Sequence, residues 1–472
     1  MGDNGMSQVT ETMITQWVEQ QQDYYESGET RSLQFRIQQL KKLKQAIVKY
    51  QHHILDALYL DLRKSKTEGY ASELGLVLYS ISHMIKNLRR FAKPKRVKTP
   101  LPLIGTASYI VSEPYGSVLI IGPFNYPASL ILEPLVAAIA SGNCAIVKPS
   151  EHTPNVSAAL RDLITETFDT RYIRLVEGAQ EETSWLIHAP FDYIFFTGST
   201  KVGKIVAKAA AERLIPVTLE LGGKSPVIVD RTAKLEIAAQ RVVWGKLLNN
   251  GQTCIAPDYI LVEQSIYEPF MKLVVAAIHQ FYSSNPLESE DYGRIVSDTH
   301  FLRLKSMLED AESDCIYGGQ YDEQQRYIAP TFLSGGTCKQ PRSLKAMQEE
   351  VFGPICTVIQ YDTLDEAITF IKQYDKPLAL YAFTEDAAVE QRIVASISFG
   401  GGCINDTLSH YINYELPFGG VGPSGLGAYH GEHSFEQFTH RKSMLKRTTL
   451  LEPGILFPPY KDKLKFLRKV LK

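Results

Sequence analysis

The chain has 472 residues, with 50 Lys+Arg against 52 Asp+Glu, a formal charge of −2, 44% hydrophobic and 22% charged residues. This is the balance of an ordinary soluble globular chain, and it excludes intrinsic disorder, a collagen-like repeat and a disulfide-dense miniprotein. At roughly 150 residues per domain the length predicts two or three domains, and the near-zero charge speaks against nucleic acid or another polyanionic partner.

The N-terminus, MGDNGMSQVTETMITQW, has neither the basic nor the apolar region of a signal peptide, and Met6 stands where a myristoylation signal needs Ser or Thr. The first hundred residues read as helices. Over 31–64, Leu40, Leu43, Ile47, Ile54 and Leu58 recur at helical spacing on a polar background. Residues 114–132 carry no charge and are long enough to span a membrane. Pro114, Pro123 and Pro127, with Gly116 and Gly122 between them, break any such helix, so a strand over 118–122 followed by a loop is predicted. Residues 109–121 read as two strands around Pro114-Tyr115-Gly116.

From there strands and helices alternate. Strands are predicted at 144–148, 173–178 and 193–198, and helices at 134–142, 156–168 and 201–214. Short, continuously apolar strands between helices predict a parallel sheet covered on both faces, the doubly wound nucleotide-binding layer. A second α/β run follows, with strands at 225–230 and 259–263 and helices at 235–250 and 266–282. No internal repeat or low-complexity tract is present. The basic end, 461–472, is weakly amphipathic through Leu464, Leu467 and Leu471. It reads as a tail on the protein body, with attachment to anionic lipid as the alternative.

The six cysteines are Cys144, Cys254, Cys315, Cys338, Cys356 and Cys403. They form no CxxC pair and have no His at zinc spacing, so reduced thiols in a cytoplasmic protein and no metal site are expected.

Six segments carry chemistry. In Asn249-Asn250-Gly251-Gln252-Thr253-Cys254 a thiol lies between a helix and a strand, where it can be a nucleophile facing a cleft or a buried structural residue. In Leu219-Glu220-Leu221-Gly222-Gly223-Lys224 a carboxylate ends an apolar strand. Burial there either raises its pKa, as a general base near neutrality needs, or is relieved by an ion pair. Asn125, in Gly122-Pro123-Phe124-Asn125-Tyr126-Pro127, follows a strand at its carboxyl end and can donate to an oxyanion or be a loop residue. Phe196-Thr197-Gly198-Ser199-Thr200-Lys201-Val202-Gly203 is a strand, turn and helix start that suits a pyrophosphate, although it is neither GxGxxG nor a P-loop. Lys148 and Glu151 follow another strand where ribose hydroxyls can be held. The last two segments, Glu349-Glu350-Val351-Phe352-Gly353-Pro354 and Leu416-Pro417-Phe418-Gly419-Gly420, say little alone.

In this order, across about 36–450, the six segments resemble the aldehyde dehydrogenase superfamily. The interval from Glu220 to Cys254 is similar to the family's, and GQTCIAPDY and GLGAYHG look like its class 3 branch. The resemblance implies a doubly wound NAD(P)-binding domain over 1–102 and 118–219 and an α/β catalytic domain over 220–405. It implies a small β oligomerisation arm from 103–117 and 427–449, and a tail over 450–472. It implies Cys254 as nucleophile, Glu220 as base for water and Asn125 as oxyanion donor with the Cys254 backbone N–H. Lys148 and Glu151 would contact the adenosine ribose, Gly198, Ser199 and Gly203 the pyrophosphate, and Glu350 and Phe352 the nicotinamide ribose. Tyr126 and Phe418 resemble substrate-pocket aromatics, fitting apolar aliphatic or aromatic aldehydes. Glu151 disfavours a 2′-phosphate, so NAD is expected with NADP possible, in a cytoplasmic homodimer. Asn250 departs from the second thiol of many class 3 members, and the apolar tail of the membrane-bound relatives is missing. The alternatives are a CoA-acylating enzyme of the same superfamily and a non-catalytic nucleotide-binding relative.

Overall fold

The computed structural model describes residues 9–450, 454, 457–461 and 463–470. The stretch before Val9, read above as lacking a leader, and Leu471 of the basic tail lie outside them. No helix among the described residues is long and apolar enough to cross a membrane. The tail contains the helix Lys463–Val470, on which Leu464 is exposed.

Two parallel sheets organise the chain. The first has six strands in the order Gly425–Leu426, Val217–Glu220, Tyr193–Thr197, Ser117–Ile121, Cys144–Lys148, Ile173–Leu175. Its five longer strands are parallel, and Gly425–Leu426 closes one edge antiparallel. The chain enters at Ser117–Ile121, builds outward on one side, then returns to build on the other. This reversal opens a crevice at the carboxyl ends of the central strands, where doubly wound sheets hold ligands. The second sheet has seven strands in the order Cys315–Tyr317, Thr331–Thr337, Ile355–Tyr361, Tyr259–Glu263, Pro226–Val229, Ala379–Phe383, Gly401–Ile404.

Side-chain alternation explains why both sheets are covered twice. In Ser117–Ile121, Val118 and Ile120 face a core that also receives Val227, Val229, Ile260 and Val262 of the second sheet. Leu119 and Ile121 face a separate core with Ile146, Ile194 and Leu219. Ile228, Tyr259 and Leu261 face a third on the far side of the second sheet. One core is therefore shared between the sheets, and the sheets are held rigidly at the level where their strand ends meet.

Most predicted elements have the expected type, and three differ informatively. The two strands expected over 109–121 are present but do not pair with each other. Thr106–Pro114 pairs antiparallel with Lys95–Val97 and with Thr439–Arg447 in a separate three-stranded sheet, while Ser117–Ile121 enters the six-stranded one. Gly116 makes the switch, with φ 139° and no room for a Cβ, which would sit 2.4 Å from Asp192 Oδ2. That carboxylate accepts the Ser117 N–H at 2.8 Å. The segment 427–449 likewise divides, into the helix Gly431–Gln437 and the strand Thr439–Arg447. The helix predicted from 134 begins earlier, as Ser129–Ser141, and contains Pro134. The buried Glu73 carboxylate accepts the N–H groups of Ala128 and Ser129 at 2.9 and 3.2 Å, an N-terminal cap delivered from outside the segment.

Gly116→Ala is expected to lower stability by about 1–3 kcal/mol through backbone strain and the Asp192 contact. Urea unfolding followed by circular dichroism would show it as an earlier midpoint, and an unchanged midpoint would contradict this account of the turn.

Candidate active site

The helix Leu235–Leu247 runs into a tight turn, Leu248–Gly251. Asn249, Asn250 and Gly251 are all left-handed there, with φ of 51°, 56° and 73°. Asn tolerates this region better than most residues. At Gly251 a Cβ would come within 2.2 Å of the Gly353 carbonyl oxygen, so glycine is required. The buried Gln252 pins the turn, donating to Arg294 O at 3.0 Å and accepting the Val296 N–H at 3.0 Å. The reversal presents Thr253 and Cys254 to a cavity of about 670 Å³. Burial, reinforced by the charges of Glu350 and Glu220, pushes the Cys254 thiol up to about 12. The thiol is thus neutral near pH 7 and needs a proton acceptor to become a nucleophile.

Glu220 supplies a group of that kind in the same cavity. It ends the strand Val217–Glu220 and is 3% exposed. Neither carboxyl oxygen has a hydrogen-bond partner among the described residues. Desolvation raises its pKa well above the ordinary 4.5. The ion-paired alternative left open by the sequence is not what the fold builds.

Asn125 is buried in the loop after Ser117–Ile121. Among the described residues, the hydrogen bonds made to it both go to its carbonyl oxygen, from Lys64 Nζ at 3.1 Å and Asn249 Nδ2 at 2.7 Å. The next residue, Tyr126, lines the cavity and shares a 2.7 Å hydrogen bond with Thr253 Oγ1, tying the loop to the cysteine turn. Phe418 lines the cavity as well, edge-on to Tyr411 at 5.0 Å.

The expected cofactor residues stand outside this cavity, at strand ends. Lys148 ends its strand with a buried amine 2.9 Å from Glu151 Oε2. Burial alone would raise the Glu151 carboxyl, but its own backbone and Lys148 hydrogen-bond to it and bring it below the ordinary range. Ser199 caps the helix Thr200–Glu212, its Oγ accepting the Val202 N–H at 3.3 Å. At Gly198 a Cβ would meet the Phe196 ring at 2.6 Å, and at Gly203 it would meet Leu221 at 2.5 Å. The N–H groups of Thr200 and Lys201 at the start of that helix have no intrahelical partner, the chemistry a pyrophosphate needs. Glu350 is pushed up to about 8 by burial and then by Asp258. Its Oε2 lies 2.0 Å from where a Cβ on Gly222 would be, so the carboxyl packs directly against that glycine. Phe352 packs edge-on to Phe124 at 5.7 Å, and Phe124 in turn meets His152 and His300. A buried amine, a carboxylate paired with it and a helix start with unpaired N–H groups together fit a dinucleotide.

Sequence reasoning missed much of the cavity wall. Trp244, Phe281, Tyr411 and Tyr429 line it beside the expected Tyr126 and Phe418. They come from separate elements, and no spacing connects them. Asn249 was legible only as part of the cysteine segment, although it donates to both Asn125 O and Gln252 O. No cluster of three or more His, Cys, Asp or Glu that could hold a metal occurs among the described residues.

A half-buried thiol and a partnerless carboxyl in one aromatic cavity, beside a nucleotide-type crevice, fit a class of protein: an oxidoreductase with a dinucleotide cofactor. The aldehyde dehydrogenase family profile matches residues 5–444, and the chain belongs to that family. It is 53% identical over 449 residues, 95% of this chain and 97% of the other, to 4,4'-diaponeurosporen-aldehyde dehydrogenase of Staphylococcus aureus (strain NCTC 8325 / PS 47). It is 43% identical over 448 residues, 94% and 98% of the two chains, to the dimeric NADP-preferring aldehyde dehydrogenase of Rattus norvegicus. A substrate-bound structure of Staphylococcus aureus AldH superposes with a TM-score of 0.94 at 52% identity, covering 97% of this chain and 99% of that one. The chain is thus a class 3-like, NAD(P)-dependent aldehyde dehydrogenase.

With no cofactor bound, alkylation of Cys254 by iodoacetamide is expected to keep accelerating through and beyond pH 9.0, the ordinary thiol value. A raised pKa means that thiolate forms only at higher pH. Peptide mass spectrometry would follow the site, and a rate that levels off below pH 8 would contradict the raised pKa.

Proposed function

We propose that this enzyme oxidises apolar aliphatic or aromatic aldehydes to carboxylic acids by a hydrolytic route. The observation that carries the reading is the shared cavity: Cys254 and Glu220 open onto one chamber walled by Tyr126, Trp244, Tyr411, Phe418 and Tyr429. Such a wall receives an apolar substrate, and one relative's name includes a polyene aldehyde.

In this reading Cys254 Sγ forms a bond to the aldehyde carbon while its proton passes to Glu220. The Asn125 amide and the Cys254 backbone N–H donate to the oxyanion of the thiohemiacetal. Bound NAD(P)+ supplies the hydride acceptor. Loss of hydride leaves a thioester on Cys254. Glu220 releases the thiol's proton to solvent and, ionised again, takes a proton from water, the water oxygen attacks the acyl carbon, and the C–S bond breaks with sulfur leaving as thiolate. Lys148 and Glu151 would hold the adenosine ribose, Gly198, Ser199 and Gly203 the pyrophosphate, and Glu350 and Phe352 the nicotinamide ribose.

The six-stranded sheet is read as the core of the cofactor domain, the seven-stranded sheet as that of the catalytic domain and the three-stranded sheet as the oligomerisation arm. Exposed Val97, Leu101, Ile104, Met444 and Leu445 on and beside that arm support a homodimer. Six unpaired cysteines support a cytoplasmic setting.

Cys254→Ala is expected to abolish NAD(P)H formation while circular dichroism stays that of wild type. Glu220→Gln is expected to slow both the burst of reduced cofactor and steady turnover, by about 10²-fold or more. Undiminished turnover in either variant would remove that residue from its role. Product analysis with CoA present should give free acid, and acyl-CoA as the main product would overturn the hydrolytic reading. Glu151→Gln is expected to raise kcat/KM with NADP relative to NAD, and an unchanged ratio would take Glu151 out of cofactor selection.

A further inference from the structure

An ion pair lies beneath the cavity with both side chains fully buried: Lys64 Nζ and Glu73 Oε1, 2.7 Å apart. Lys64 follows the long helix Leu33–Leu62. Glu73 belongs to a π-helical turn, Tyr70–Leu74, an irregularity often found beside functional sites. Neither residue lines the cavity. Buried ion pairs are seldom needed for stability, because desolvation offsets much of the attraction. What distinguishes this one is where its remaining bonding capacity goes.

Lys64 Nζ donates to Asn125 O at 3.1 Å and stands 4.3 Å from the centre of the Tyr126 ring. Glu73 Oε2 accepts the Ala128 and Ser129 N–H groups. Both charges thus act on one five-residue loop, 125–129, Lys64 at its first residues and Glu73 at its last two. Between them Pro127 restricts its own φ. From the other side, Asn249 Nδ2 donates to Asn125 O at 2.7 Å and to Gln252 O at 3.1 Å, which registers this loop against the cysteine turn. The loop is held through its backbone, and none of these hydrogen bonds engages the Asn125 side-chain amide.

We propose that Lys64 and Glu73 are positioning residues for the oxidation step: their buried ion pair clamps the 125–129 loop so that the Asn125 amide is aimed at the oxyanion formed on Cys254. This rests on the reading of Asn125 as the oxyanion donor. A donor misplaced by about 1 Å can cost on the order of 10²-fold in rate, so a rigid mount matters even though it touches no substrate.

The test is a double-mutant cycle on the full-length enzyme, reading the single-turnover rate of NAD(P)H formation with hexanal as the probe aldehyde. Lys64→Met is expected to slow wild type roughly 10- to 100-fold but to slow Asn125→Ala less than about twofold, because the aimed group is already gone. NAD affinity and Cys254 alkylation should be unchanged in Lys64→Met, and Lys64→Arg should recover part of the rate. Equal slowing in both backgrounds would overturn the clamp and leave Lys64 a general structural role. Asn125→Ala at the wild-type rate would instead overturn the donor assignment, and the clamp with it. If Lys64→Met does not fold, Lys64→Arg and Glu73→Gln enter the same cycle, and failure of all three to fold would overturn a positional role.

Discussion

A carboxyl group without a partner, closed between apolar layers at the end of a strand, is the constraint around which this protein is arranged. Glu220 cannot ionise there without a desolvation cost that nothing adjacent repays. The fold accepts that cost because the rest of its strand is ordinary core, with Thr218 and Leu219 buried on opposite faces. The result is a base stronger than a carboxylate in water. Cys254 is subject to the same burial, and the charges of Glu350 and Glu220 add to its reluctance to ionise. In its ionised form a carboxylate so raised is a better-matched acceptor for the proton of a raised thiol than an ordinary carboxylate is.

The loops around this pair are held by buried charges used on backbone. Lys64 and Glu73 fix the segment 125–129. Lys224 and Asp258 do the same for the segment carrying Glu350. Lys224 donates to the carbonyls of Ala346 and Glu349 at 2.8 and 2.9 Å, and Asp258 accepts the Val351 N–H at 2.8 Å. In both places an ion pair satisfies peptide groups that a loop in an apolar interior would otherwise leave unpaired. The loops are therefore tied down through their backbones, which suits groups that must meet one carbonyl carbon from several directions.

How legible each part was in the sequence follows from the range of the forces that set it. Apolar runs such as 144–148 and 259–263 form strands because continuous hydrophobicity needs two covered faces, a local property. Cys254 and Glu220 stood out because each interrupts such a pattern at an element junction. The pairing of strand 106–114 could not be read from local pattern, because its longest partner, Thr439–Arg447, lies more than three hundred positions on; Lys442 and Glu113, which hydrogen-bond across the two strands, are 329 apart. The helix from Ser129 began early for a similar reason, since its cap comes from Glu73. The aromatic wall stayed invisible because Trp244, Tyr411 and Tyr429 belong to different segments that only the packing of the two sheets brings together.

By itself the sequence determined the element types, the alternating α/β architecture, the nucleophile and base as candidates, and, through motif order, the family. Those depend on local periodicity and on residue types at junctions, which survive without coordinates. Tertiary structure alone decided the protonation tendencies of Cys254 and Glu220, the shape of the chamber between them and the mounting of the Asn125 loop. Desolvation and hydrogen-bond direction depend on which distant groups surround an atom, and no spacing along a chain encodes that.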